Sequence, residues 1–198
     1  MEVLTSKLMA HIVRLGEGTP MAAKELLHLG NRAAVDQALS RLVRRGSLMR
    51  AGRGLYVRPV ESRFGVRAPE TAKVVLALAA QRGESIVPHG AAAANEFGLT
   101  TQVPVREVYL TSGPTRNFVL GKQVIELRHV PAWQLVMPGR PAGAAIRALA
   151  WMGPEHAGST IEVLRKKLSN LELQAVVAVR GMLPTWMAQQ VSVLVGDV

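Results

Sequence analysis

The chain has 198 residues, 48% of them apolar, and a formal net charge of +10. It is long enough for one large or two small domains with proper cores, and too apolar for a disordered chain. It contains no cysteine, which excludes disulfides, thiolate metal sites and cysteine nucleophiles and accords with a reducing cytoplasm.

The first helix is expected from about Thr5 to Leu15, with Leu8, Ile12 and Leu15 on one face and Gly16 and Gly18 ending it. Thr19-Pro20 then has the form of a new helix start, Thr as N-cap and Pro at the first position. That short second helix stops at Gly30, a residue that permits the tight turn of a helix-turn-helix. Asn31 can cap a third helix, whose inward stripe is Ala34, Val35, Ala38, Leu39, Leu42 and Val43, and Gly46 closes it. Leu48-Met49-Arg50 and Leu55 to Arg58 flank Ala51-Gly52-Arg53-Gly54, the pattern of a hairpin with Arg53 at its tip.

Residues 61–69 have the composition of a linker between an N-terminal domain, 1–60, and a C-terminal one, 70–198. Past it the spacing predicts an Ala- and Val-rich helix over 69–82, a short extended piece at Ser85 to Pro88, and a helix from Gly90 to Phe97. A strand follows at Val108 to Thr111, then a hairpin of Asn117 to Leu120 with Gln123 to His129 turning at Gly121-Lys122. The remainder is helical: Ala142 to Met152; Ser159 to Leu168, with Ser159 and Glu162 as a capping box; Asn170 to Arg180, with Ser169 and Glu172 as a second; and a last helix after Pro184. The fold class expected is α+β, an N-terminal winged helix-turn-helix followed by a mixed, mostly helical domain with a small sheet.

Charge points to function more sharply than total composition does. Residues 1–67 carry 12 Lys/Arg against 5 Asp/Glu, the remainder 12 against 9. Between Gln37 and Val60 stand six arginines (Arg41, Arg44, Arg45, Arg50, Arg53 and Arg58) and no acidic residue. One-signed charge on a helix and its adjacent wing attracts a phosphate backbone. In helix-turn-helix docking the start of the second helix meets base edges, which makes Arg32, Asp36 and Gln37 candidates for base reading. Gln can pair with adenine and Arg can fork onto guanine. Ser40, Arg41, Arg44, Arg50 and Arg53 are candidates for the DNA backbone. The competing reading is a solvated helix face in a partner-binding scaffold, for which a neutral third helix would be the better signal.

Catalysis finds no support. His11, His28, His89, His129 and His156 are scattered without the i,i+4 spacing of a helical zinc site. Gly158-Ser159 is not followed by the close pair of carboxylates a nucleotidyltransferase needs. No catalytic residue, metal or cofactor is expected. Lys7, His11 and Arg14 interrupt any signal-peptide core, and no apolar run reaches membrane-spanning length.

Five stretches together are similar to the antitoxins of abortive-infection type IV toxin–antitoxin systems. They are Arg41-Leu-Val-Arg-Arg-Gly46, Arg53-Gly-Leu-Tyr-Val-Arg-Pro59, Gly90-Ala-Ala-Ala-Ala-Asn-Glu-Phe-Gly-Leu99, Thr101-Gln-Val-Pro104 and Tyr109-Leu-Thr-Ser-Gly113. Leu183-Pro-Thr-Trp-Met187 fits the same pattern, so the resemblance runs over nearly the whole chain. It implies a winged helix that represses its own operon at inverted-repeat double-stranded operators. It also implies a C-terminal antitoxin domain opposing a nucleotidyltransferase-type toxin without a stable complex. A stand-alone regulator with no antitoxin activity is the remaining alternative.

Overall fold

The computed structural model describes residues 2–15, 18–63, 65–102 and 106–194. Thr101 and Gln102 of the stretch that ends at Pro104 are therefore described, and Val103 and Pro104 lie outside. The chain is α+β and divides into two compact units: residues 1–84 with 117–125, and residues 85–116 with 126–198.

The first unit opens with α1 (Glu2–Arg14), β1 (Pro20–Ala22), a single 3-10 turn (Ala23–Leu26) and α2 (Arg32–Arg44). Next come β2 (Met49–Gly52) and β3 (Leu55–Val57), giving a three-stranded antiparallel sheet in the order β1-β3-β2. This is the arrangement of a winged helix. Its core is built from Leu8, Ile12, Met21, Leu26, Val35, Leu39, Leu42 and Leu48, all essentially inaccessible. Asn31 caps α2 as the sequence suggests, its side-chain oxygen accepting from the Ala34 N–H at 2.9 Å.

Three local expectations give way here. The helix start at Thr19-Pro20 is a strand, because Pro20, Met21 and Ala22 pair with Val57, Tyr56 and Leu55. The Thr19 hydroxyl donates backwards, to the Leu15 carbonyl at 2.6 Å. Gly30 is not in a left-handed conformation; a Cβ there would come within 3.3 Å of both Leu4 methyls, so it is close approach to α1 that favours glycine. The linker at 61–69 is largely a hairpin, β4 (Val60–Ser62) paired antiparallel with β5 (Gly65–Arg67). Pro59 and Pro69 on either side of it are buried. α3 (Thr71–Arg82) then completes residues 1–84, so the first unit reaches well past the expected boundary at residue 60. Val74, Val75 and Leu78 of this helix are buried, while Leu76 is 64% exposed.

A four-stranded sheet follows in the order β6-β7-β9-β8, from β6 (Ile86–Pro88), β7 (Glu107–Thr111), β8 (Arg116–Leu120) and β9 (Gln123–His129). α4 (Gly90–Glu96), α5 (Pro141–Met152), α6 (Ala157–Lys167), α7 (Asn170–Ala178) and α8 (Thr185–Ser192) are the helices of the second unit. Ala93, Ala94, Ile146, Leu149, Leu164, Met187 and Val191 share its main core. α4 and α5 meet at Gly90, where any Cβ would collide with the Arg147 carbonyl and sit 2.8 Å from the Trp151 Cβ.

The two expected capping boxes resolve differently. α6 begins two residues early, at Ala157, so Ser159 lies inside it and its hydroxyl donates to the His156 carbonyl. Ser169 does cap α7, accepting from the Glu172 N–H. Glu172 itself reaches away, accepting from Arg140 at 2.9 Å and from the Ala142 N–H at 2.8 Å. It thereby supplies an acceptor at the start of α5, where helix N–H groups lack partners. Arg140 and the Ala142 N–H both favour the charged carboxylate and hold its pKa below the usual range. Among the described residues, no helix is long and apolar enough to cross a membrane.

Candidate nucleic-acid interface

α2 presents two faces. Val35, Ala38, Leu39 and Leu42 turn into the winged-helix core, which fixes the rotation of the helix about its axis. The 3.6-residue period then places Arg32, Asp36, Gln37, Ser40, Arg41 and Arg44 on the other side. Asp36, Gln37, Ser40, Arg41 and Arg44 line one open cleft of about 420 Å³. Most of the sequence-derived set therefore meets in a single place.

The geometry divides the roles within it. Arg32 and Asp36, both expected from the sequence to read bases, are bound to each other: the Arg32 Nε donates to the Asp36 carboxylate at 2.7 Å. That hydrogen bond, followed by the direct attraction of Asp36, raises the pKa of an already permanent cation. Asp36 thus orients the Arg32 fork. Ser40 donates its hydroxyl proton to the Asp36 carbonyl at 2.8 Å, leaving an oxygen that accepts. Gln37 is exposed on the same cleft.

On the wing, Arg50 donates from Nε to the Gly52 carbonyl across a bulge in the β2–β3 register. Arg53 stands exposed at the hairpin tip, next to Gly54 whose φ of 72° is one that L side chains rarely adopt. Among the described residues, Arg44, Arg45 and Arg53 have no acidic partner. An unneutralised run of this kind is what a polyanion can engage without first breaking ion pairs.

A second cleft, of about 670 Å³, opens between α1 and the C-terminal turns of α2, with Ser6, Lys7 and Ala10 on one wall and Arg41 and Arg45 on the other. Lys7 and Arg45 are not in the sequence-derived set. The available signal was the i,i+4 spacing of Arg41 and Arg45; nothing in the sequence placed Lys7 opposite them.

In the second unit a smaller cleft, about 340 Å³, is bordered by His89, Arg106, Glu107 and Tyr109. His89 caps α4 by accepting from the Ala91 N–H through Nδ1, and burial, then Arg128, pushes its pKa down. Among the described residues, no group of three or more His, Cys, Asp or Glu side chains is arranged to hold a metal ion.

Residues 7–176 match DUF6088, a family of unknown function. The chain belongs to that family. No curated protein matches the chain. Among solved structures it is similar to the RV2827C protein from Mycobacterium tuberculosis, at 16% identity and a TM-score of 0.57, over 98% of this chain and 76% of that one. At that identity the likeness concerns the fold alone.

Proposed function

We propose that this DUF6088 protein is a DNA-binding transcriptional autorepressor and the antitoxin of a type IV toxin–antitoxin system, countering a nucleotidyltransferase-type toxin. The observation that carries the DNA-binding half is the α2 face: Gln37, Arg41 and Arg44 on one cleft, on a helix that a winged-helix core holds outward. Helices so placed enter the major groove with their first turns on base edges. Gln37 and the Asp36-oriented Arg32 read bases; Arg41, Arg44, Arg50 and Arg53 hold phosphates, with Ser40 and Asp36 shaping the helix side chains between them. Binding is to double-stranded operator DNA carrying inverted repeats, in the cytoplasm, and involves no metal, cofactor or chemistry.

The antitoxin half rests on the resemblance of the chain to type IV antitoxins. The resemblance further implies that no stable toxin complex forms. Met187, Val191 and Leu194 are buried in the second unit's own core, and Thr185, Gln189 and Ser192 face outward.

Two experiments test the halves separately. The full-length protein should bind a duplex from upstream of its own gene more tightly than a shuffled duplex of equal length. Indifference between the two would remove the repressor reading. Co-expression should relieve growth arrest by a nucleotidyltransferase toxin encoded beside it, without co-purification of the pair. Unrelieved arrest would leave a stand-alone regulator, and a nanomolar complex would make it a direct inhibitor.

A further inference from the structure

α1 enters the winged helix as scaffold, through Leu8 and Ile12. Its outward side does something more. Ser6 and Lys7 face Arg41 and Arg45 across this cleft, which is larger than the one on the recognition face, and no carboxylate is among its described lining residues. Lys7 and Arg45 are exposed. Arg41 borders both this cleft and the one on the recognition face, so the two adjoin at this residue.

The spacing suits a charged strand. Residues four apart on a helix are separated by about 6 Å along its axis, whereas successive phosphates of one DNA strand rise by about 3.4 Å. Arg41 and Arg45 can therefore reach nearby phosphates of one strand, with Lys7 closing from the other wall. The Ser6 hydroxyl adds a neutral donor of the sort that commonly supplements Arg and Lys at phosphates.

We propose that Lys7 and Arg45, together with Arg41, form a second phosphate-binding cleft through which α1 grips the DNA backbone beside the recognition helix. This rests on the DNA-binding reading above, and adds to it a sequence-independent anchor that fixes the register of α2 in the groove.

The test uses the full chain, a duplex from upstream of its own gene and a random duplex of equal length, with affinity followed by fluorescence anisotropy across a salt series. The Lys7→Ala/Arg45→Ala double variant should flatten the slope of log affinity against log salt by about two on both duplexes. The ratio of affinities between the duplexes should stay parental, and Lys7→Arg should keep the parental slope. Both side chains are exposed, so circular dichroism of the double variant should match the parent. A parental slope in the double variant, while Arg44→Ala and Arg53→Ala still weaken binding, overturns this cleft and leaves the DNA-binding reading standing. A parent that binds neither duplex overturns both. Saturable binding of inorganic phosphate alone, lost in the double variant without any change in DNA slope, would assign the cleft to a free anion and overturn its role on DNA.

Discussion

Arg44 ends the last turn of α2 in solvent with no acidic partner among the described residues, whereas Arg147 lies in the middle of α5 with only 3% of its surface exposed. Arg44 shares its cleft with Gln37, Ser40 and Arg41, and with Asp36, whose carboxylate is bound to Arg32. Around Arg147 the guanidinium turns inward, Nη1 donating to the Gln134 carbonyl at 3.5 Å. Burial pushes its pKa down to about 10 against the opposing pull of Glu96. Other arginines of the second unit are engaged likewise: Arg140 with Glu172, Arg128 with Glu126, and Arg165 with the Val193 carbonyl. The first unit displays positive charge; the second engages much of its own in internal bonds.

The contrast can be broken most forcefully at Gly90. Gly90→Ala forces a methyl into the Arg147 carbonyl and the base of Trp151, and should destabilise the second unit by about 1–3 kcal/mol. Trp133, Trp151 and Trp186 all belong to that unit, so urea unfolding followed by tryptophan fluorescence reports on it specifically. DNA affinity should stay close to parental. A parental midpoint would mean that α4 and α5 are not locked where they meet.

Gln37→Ala should do the reverse, leaving unfolding alone and costing about 1–3 kcal/mol of discrimination at one operator position. Equal losses on every sequence would move Gln37 from base reading to the backbone.

Arg147→Met tests whether the buried guanidinium is needed as a charge. Among the described residues its Nε has no hydrogen-bond partner, and methionine roughly follows the shape of its stem. The change should alter unfolding by less than about 1.5 kcal/mol and leave DNA binding untouched. Arg44→Ala should leave stability within about 0.5 kcal/mol and weaken binding to all DNA. A large loss of stability in Arg147→Met would show that the charge itself organises the second unit.

The smallest effect concerns pH. The His89 Nδ1 that caps α4 must be unprotonated to accept from the Ala91 N–H, and burial, then Arg128, holds the folded pKa below the ordinary 6.5. The unfolded chain therefore takes up this proton first. Stability of the second unit should fall as pH drops from 6.5 toward the folded value. His89→Asn keeps a cap without the titration and should flatten that portion of the profile. An unchanged profile would assign it to other groups.

What the sequence revealed follows the reach of the interactions involved. α2 was legible because its signals are local: the Asn31 cap, the apolar stripe and the closing turn at Gly46 lie within one segment. The hairpin at Gly121-Lys122 was legible for the same reason. β1 was not, since Thr19-Pro20 has a helix-start composition and only pairing with Leu55 to Val57 makes it a strand. Glu172 has the look of half a capping box because Ser169 stands three residues before it, while the Ala142 N–H it accepts from lies 30 residues away. The charged face of α2 could be read directly from composition. The Arg32–Asp36 bond could have been read from the i,i+4 spacing of opposite charges, whereas the place of Lys7 opposite Arg41 needed the packing of two helices.

The most direct test of DNA binding by the first unit is the salt dependence of the full chain carrying Arg41→Ala, Arg44→Ala and Arg53→Ala together. The slope of log affinity against log salt should flatten by about one for each phosphate no longer neutralised, with weaker binding to upstream and random duplexes alike. A triple variant that binds both duplexes as the parent does, at every salt concentration, would reduce the α2 and wing arginines to a solvated surface and contradict DNA binding through this face.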